Sequence, residues 1–271
     1  MTSATKLDGW ALVLGPGGPV GTAWLAGLAA GMRRAGVDPA TADLIVGTSA
    51  GAIAGAMIAT GRDLDAVAEL PPRDGYRPPS GEAVMARVLE LTRTPGLAPD
   101  EVRRQIGQIA LEAEALPEER HRAGMEFLVG TDAWPERRLL VTAVDVESGA
   151  PVVWDGGVPL TAAVAASSAA PGFAEPVTVD GRRYIDGAFG GGSNAHLAAR
   201  AGTVVLVEPM TAMRDAGARA DVRIGPDERT LEVFGGTVTD VTGWTPAYRE
   251  GVRQGPDAAR LIASKVGATG A

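Results

Sequence analysis

The sequence predicts an α/β fold with a mostly parallel central sheet and helices on both of its faces. Three observations predict it. The apolar run Trp10–Leu14 stops at a glycine cluster and gives way to a stretch with Trp24, Leu25, Leu28, Ala29 and Met32 at helical spacing. A second run, Asp43–Val46, enters Gly47-Thr48-Ser49-Ala50-Gly51 and then a helix of small residues, Ala50–Thr60. Strand-like runs then return after a long charged stretch, at Arg138–Val146, Pro151–Trp154 and Thr203–Val207. Two consecutive strand–turn–helix units need crossovers over the faces of a sheet, so both faces are covered and the strands read as continuous apolar runs.

The remaining elements follow in order. Gly36 and Gly61 end the first two helices. Pro71-Pro72-Arg73-Asp74-Gly75-Tyr76-Arg77-Pro78-Pro79 reads as an irregular linker, because paired prolines fix φ and remove donors. Gly81–Phe127 is amphipathic, with Val84, Val88 and Leu91, then Val102, Ile106, Ile109 and Ala110 at helical spacing, and is expected to be a helical cap inserted at about residues 71–130. Leu160–Ser168 predicts a helix whose small residues pack close to the sheet. Val177–Val179, Asp180-Gly181 and Arg183–Ile185 predict a hairpin with a type I′ turn. The charged, aperiodic segment Met210–Thr230 is expected to be a surface loop, and Pro246–Val266 contains a closing helix. One domain over residues 1–271 accounts for the length.

Composition removes several function classes. Acidic residues outnumber basic ones 33 to 25, and the net charge of −8 repels phosphate backbones, so nucleic acid is not an expected partner. With no cysteine there is no disulfide, no Cys-ligated metal and no thiol catalysis; His121 and His196 alone offer little to a metal, and no cofactor is expected. Residues 1–9 lack an apolar leader core and no run of 18 apolar residues occurs, so a cytoplasmic protein is expected. The oligomeric state is left open by the sequence.

The chemistry centres on Gly47-Thr48-Ser49-Ala50-Gly51, a G-x-S-x-G between a buried strand and a helix. Such a turn strains the serine, exposes its Oγ and places it at a helix N-terminus; the bland alternative is a simple helix cap. The loop Gly15-Pro16-Gly17-Gly18-Pro19-Val20-Gly21 lacks glycine at Val20, as a dinucleotide fingerprint would require, and no Gly-Lys-Ser/Thr follows for a phosphate loop. It offers instead the backbone N–H groups of Gly17 and Gly18, carried by a neighbouring parallel strand to the same sheet edge as Ser49. Candidate bases for the serine are Asp186, Asp145 and His196, the last in an Ala-rich helical run expected from Ser193, its cap, through Arg200.

Three of these motifs, Gly17-Gly18-Pro19-Val20-Gly21, Gly47-Thr48-Ser49-Ala50-Gly51 and Asp186-Gly187-Ala188, together resemble the patatin-like phospholipase family in order and spacing. The run Ala165-Ala166-Ser167-Ser168-Ala169-Ala170-Pro171-Gly172-Phe173 looks like the family's small-residue segment, and the resemblance covers most of Ala11–Ser193. It implies a three-layer α/β/α sandwich and a serine acyl-ester hydrolase acting on lipid or other acyl esters. Ser49 and Asp186 would then form a catalytic dyad, with Gly17, Gly18 and Ala50 as the oxyanion hole and no cofactor. A lipid substrate implies transient contact with a membrane or micelle. The family usually carries Arg or Lys where Val20 stands. Two rival readings keep the same residues: an idle acyl-binding protein of the same fold, and a Ser49-Asp186-His196 triad of the α/β-hydrolase type.

Overall fold

The computed structural model describes residues 7–70, 78–210, 217–235 and 239–266. Both strand–turn–helix units form as expected, with β1 (Leu7–Leu14), α1 (Gly18–Arg34), β2 (Leu44–Gly47) and α2 (Ala50–Ala59). Most of the proline-rich linker, residues 71–77, lies outside the described residues. The amphipathic stretch forms α3 (Gly81–Thr92), α4 (Pro99–Glu112) and α5 (Glu118–Val129), the last closed by Gly130 at φ 78°. Then follow β3 (Leu139–Asp145), β4 (Pro151–Trp154), α6 (Leu160–Ser167), β5 (Val177–Val179), β6 (Arg182–Asp186) and α7 (Ala188–Gly191). The turn between β5 and β6 has φ 47° at Asp180 and 76° at Gly181, the two positive angles of a type I′ hairpin. The chain continues through β7 (Ala201–Val207), β8 (Val222–Ile224), α8 (Glu228–Phe234) and α9 (Trp244–Val266).

The segment Met210–Thr230 corrects the expectation of a surface loop. Residues 211–216 lie outside the described residues, but β8 extends the sheet and α8 begins within it. A strand of three residues is too short to show a period. The helix is announced only by its cap, Asp227, whose carboxylate accepts the Thr230 N–H at 2.9 Å.

The eight strands among the described residues form one sheet in the pairing order β5-β6-β3-β2-β1-β7-β8, with β4 also paired to β3. Pairs β1/β2, β1/β7, β2/β3 and β7/β8 are parallel; β3/β4, β3/β6 and β5/β6 are antiparallel. Alternate residues of the strands face two helical layers. Leu12, Leu14, Ile45, Val141, Ala143 and Val205 pack with α1, α2, α5, α6 and α9. On the other face Val144, Val146 and Ile185 pack with α3 and α4 through Val88, Ile106 and Ile109, and Ala11, Val13, Leu44 and Leu206 pack with the short turn Ala195–Ala198. This is a three-layer α/β/α sandwich.

The registers at β3 position the site. Val141 pairs with both Gly47 and Trp154, whereas Ala143 and Val144 pair with Asp186 and Ile185 on one side and with Val152 and Pro151 on the other. A strand residue has two edges, so β4 fills one edge of β3 while β2 and β6 share the other in tandem. β2 runs parallel to β3 and β6 antiparallel, so their C-terminal ends meet head-on across Thr142. The turn that follows β2 carries Ser49, and β6 ends on Asp186.

Candidate active site

Ser49 stands between β2 and α2 with φ 56° and ψ −119°, a conformation that costs a non-glycine residue of order 1–3 kcal/mol. Its side chain makes no capping hydrogen bond, so the reading of Ser49 as a simple helix cap fails. The neighbouring glycines make the turn sterically possible. A Cβ on Gly47 would lie 2.6 Å from the Ala52 Cα, and one on Gly51 would overlap the Leu14 carbonyl. The Ser49 N–H donates to the Ser167 Oγ at 3.0 Å, which anchors the strained peptide to the end of α6.

Asp186 is held by the same segment. Its N–H donates to the Ala169 carbonyl at 3.0 Å and the Gly187 N–H to the Ser167 carbonyl at 3.2 Å. One residue, Ser167, therefore grips the backbone of the serine turn through its hydroxyl and that of the aspartate turn through its carbonyl. The Asp186 carboxylate accepts the Ala188 N–H at 2.9 Å, and the Ser49 hydroxyl stands near enough to favour its charged form. Ser49 is 6% and Asp186 4% exposed, so both groups are shielded from bulk water. Burial pushes the Asp186 carboxyl up to about 6, against the opposing pull of the Ser49 hydroxyl and the Ala188 N–H. A carboxylate so placed is ionised near neutral pH yet basic enough to take a hydroxyl proton.

The glycine loop lies beside this pair, because Leu14 and Gly47 are register partners and the Thr48 N–H donates to the Leu14 carbonyl at 3.1 Å. Gly18 opens α1 at φ 60°, which favours glycine, and Pro209 packs 2.7 Å from where a Gly17 Cβ would stand. Among the described residues no acceptor takes the N–H of Gly17, Gly18 or Ala50. Val20 is buried in the core layer of α1.

The other candidate bases are placed elsewhere. Asp145 is engaged by the Arg182 guanidinium at 2.6 and 2.8 Å and by Ser148, and Arg182 chiefly holds its carboxyl down at about 2. His196 corrects a second expectation. The predicted Ala-rich helical run capped by Ser193 is only a 3-10 turn, Ala195–Ala198, entered through Asn194 at φ 53°. The Ser193 hydroxyl instead donates to the Glu208 carboxylate at 3.0 Å. His196 is exposed on the face of the sheet opposite α2, and among the described residues it bonds neither Ser49 nor Asp186. His196→Ala is accordingly expected to keep more than about a tenth of wild-type kcat, an effect below about 1.4 kcal/mol. A loss of several powers of ten in a variant that melts cooperatively would restore the triad.

The family's sequence profile, described as patatin-like phospholipase, matches residues 12–199. The chain belongs to the patatin-like phospholipase family. Patatin-like phospholipases are in general lipid acyl hydrolases, and the match spans the glycine loop, the serine turn and Asp186. Among solved structures, VipD from Legionella pneumophila is similar at 16% identity with a TM-score of 0.37, over 79% of this chain and 52% of VipD. This patatin-like chain thus spans about half the length of that relative. No curated protein matches it. Sequence reasoning missed Ser167 as a clamp; its place in the small-residue run was the available signal. Among the described residues of this patatin-like chain, no three His, Asp or Glu side chains converge as a metal-binding group, and no helix is long and apolar enough to cross a membrane.

Proposed function

We propose that the protein is a serine acyl-ester hydrolase, a lipid acyl hydrolase of the phospholipase A type, working through a Ser49–Asp186 dyad. The observation that carries this reading is the strained, uncapped Ser49 clamped by Ser167 beside a buried Asp186 whose carboxyl is pushed up to about 6. Ser49 Oγ attacks the ester carbonyl carbon as Asp186 takes its proton. The N–H groups of Gly17, Gly18 and Ala50 receive the developing oxyanion; one such donor is worth about 3 kcal/mol of barrier. Collapse of the tetrahedral intermediate breaks the ester C–O bond, and the alcohol leaves with the proton from Asp186. Water then attacks the acyl-serine while Asp186 accepts its proton, the acid is released, and the proton returns to Ser49 Oγ.

The helical insertion is proposed to border the acyl path. The first turn of α3 packs on the turn beyond Ala169, where a Gly81 Cβ would lie 2.9 Å from the Phe173 ring. Since Ala169 holds the Asp186 N–H, α3 lies close behind the dyad's support. The test is a panel of p-nitrophenyl esters of rising chain length with a fluorophosphonate probe. Hydrolysis that grows with chain length, and labelling confined to Ser49, are expected. A folded protein that neither turns over any ester nor labels at Ser49 would leave the idle acyl-binding reading.

A further inference from the structure

The chemistry above leaves one buried amide beside the dyad unused. Asn194 is buried in left-handed backbone, φ 53° and ψ 32°, a conformation that Asn tolerates better than most side chains. Its Nδ2 lies 3.0 Å from Thr48 Oγ1, 3.2 Å from Thr142 Oγ1, 3.2 Å from the Gly187 carbonyl and 3.3 Å from the Gly192 carbonyl. The two threonine hydroxyls are 2.9 Å apart, and each has a further carbonyl at 3.5 Å, that of Ser193 for Thr48 and that of Gly47 for Thr142. The amide has two protons and faces only oxygens, so polarity runs one way, from Asn194 into the hydroxyls and on to the carbonyls. An acceptor in its place would set buried oxygen against oxygen.

The partners locate the role. Thr48 precedes Ser49, Gly187 follows Asp186, and Thr142 stands on β3 where the ends of β2 and β6 meet. Strands in tandem on one edge share no ladder hydrogen bonds, so the gap between their ends is set by side chains and turns. Ser167 bridges it from α6, and Asn194 bridges it from the turn after α7.

We propose that Asn194 is a positioning residue, whose amide fixes the distance and orientation between the serine turn and the aspartate turn through Thr48, Thr142 and the Gly187 carbonyl. The proposal rests on Ser49 and Asp186 being the dyad. Its consequence is a loss in kcat rather than in substrate binding, because Asn194 acts through the reacting pair.

The test uses Asn194→Gly, which removes the amide while leaving left-handed backbone freely accessible, and Asn194→Asp, which keeps the shape and reverses the hydrogen bonds. With p-nitrophenyl butyrate, Asn194→Gly is expected to lower kcat by about 10–100-fold with KM changed by less than about twofold, and to slow fluorophosphonate labelling in parallel. Asn194→Asp is expected to lose at least as much. Adding Thr48→Val to Asn194→Gly is expected to cost little more, since both remove one network. A cooperatively melting Asn194→Gly protein with kcat and labelling rate within about threefold of wild type would overturn the proposal. If Asn194→Gly does not fold, the near-isosteric pair Thr48→Val/Thr142→Val reads the same contacts: about tenfold lower kcat supports the role, and wild-type kcat refutes it. Ser49→Ala is run alongside. Activity in that variant refutes the dyad and the proposal with it, whereas an inactive Ser49→Ala beside an undiminished Asn194→Gly refutes only the positioning role.

Discussion

Ser49→Ala and Asp186→Asn are each expected to abolish ester hydrolysis, by about 10⁴–10⁶-fold in kcat, while far-UV circular dichroism is unchanged. The two losses should be similar and should not add, because nucleophile and base act as one unit. The same pair fixes the pH response. Only ionised Asp186 can take the Ser49 proton, so kcat/KM of wild type should rise with pH through an acid limb near 6 and then level off. Stability moves the other way. The folded protein holds the Asp186 proton more tightly than the unfolded chain, whose carboxyl keeps its ordinary value near 3.8. The folded state is therefore favoured most below that value, loses stability as pH rises towards about 6, and is level above it. Moving the carboxyl from 3.8 to about 6 corresponds to roughly 3 kcal/mol. At pH 8 Asp186→Asn removes the buried charge and keeps an acceptor for the Ala188 N–H, so its Tm should equal or exceed that of wild type. Undiminished turnover in either variant, or a pH profile flat from 4 to 8, would exclude the dyad.

How much of this was legible in the sequence depends on whether the signal was local. The serine turn could be read because its requirement is local: Gly47 and Gly51 are needed by atoms of the same turn and of the adjoining strand β1. The β5–β6 hairpin could be read for a similar reason, since a type I′ turn demands two positive φ angles and Asp180-Gly181 supplies them. Long apolar runs located β1, β3 and β7, and small residues located α2 and α6. What escaped was set by distant partners. The small-residue run marks the segment of Ser167 but not its partner, the Ser49 N–H 118 residues away in sequence. Asn194 reads as one residue in an Ala-rich helical run, because its neighbours have helical propensity; the partners it meets from left-handed backbone, Thr48 and Thr142, lie far away in the chain. The tandem placement of β2 and β6 on one edge of β3, which brings the dyad together, is a property of the sheet and of neither strand alone.

The largest effect on stability is expected at the crossing of α1 and α9, and it inverts the usual helical rule. In an exposed helix interior Gly→Ala stabilises by up to about 1 kcal/mol. Here Gly27 and Gly31 of α1 face Gly251 and Gly255 of α9, and the two backbones touch. A Cβ on Gly251 would overlap the Trp24 carbonyl and lie 2.6 Å from the Leu28 N, while one on Gly31 would lie 2.5 Å from the Val252 carbonyl. These neighbours are backbone atoms of packed helices and cannot turn aside as a flexible side chain could. Helix α1 is buried over Val20–Met32, with the Trp24 indole donating to the Gln254 Oε1 at 2.8 Å, so separating the helices also opens the core. Gly251→Ala should therefore cost about 3 kcal/mol, near the top of the range for overpacking, and lower Tm by about 6–12 °C; Gly251→Val should not yield folded protein. Gly124 in α5 is the internal control, because a Cβ there meets nothing within 4 Å. Gly124→Ala should leave Tm unchanged or raise it. Equal melting of Gly251→Ala and Gly124→Ala would show that α1 and α9 are not in backbone contact, and the layer that carries α1, and with it the glycine loop at its start, would have to be packed differently.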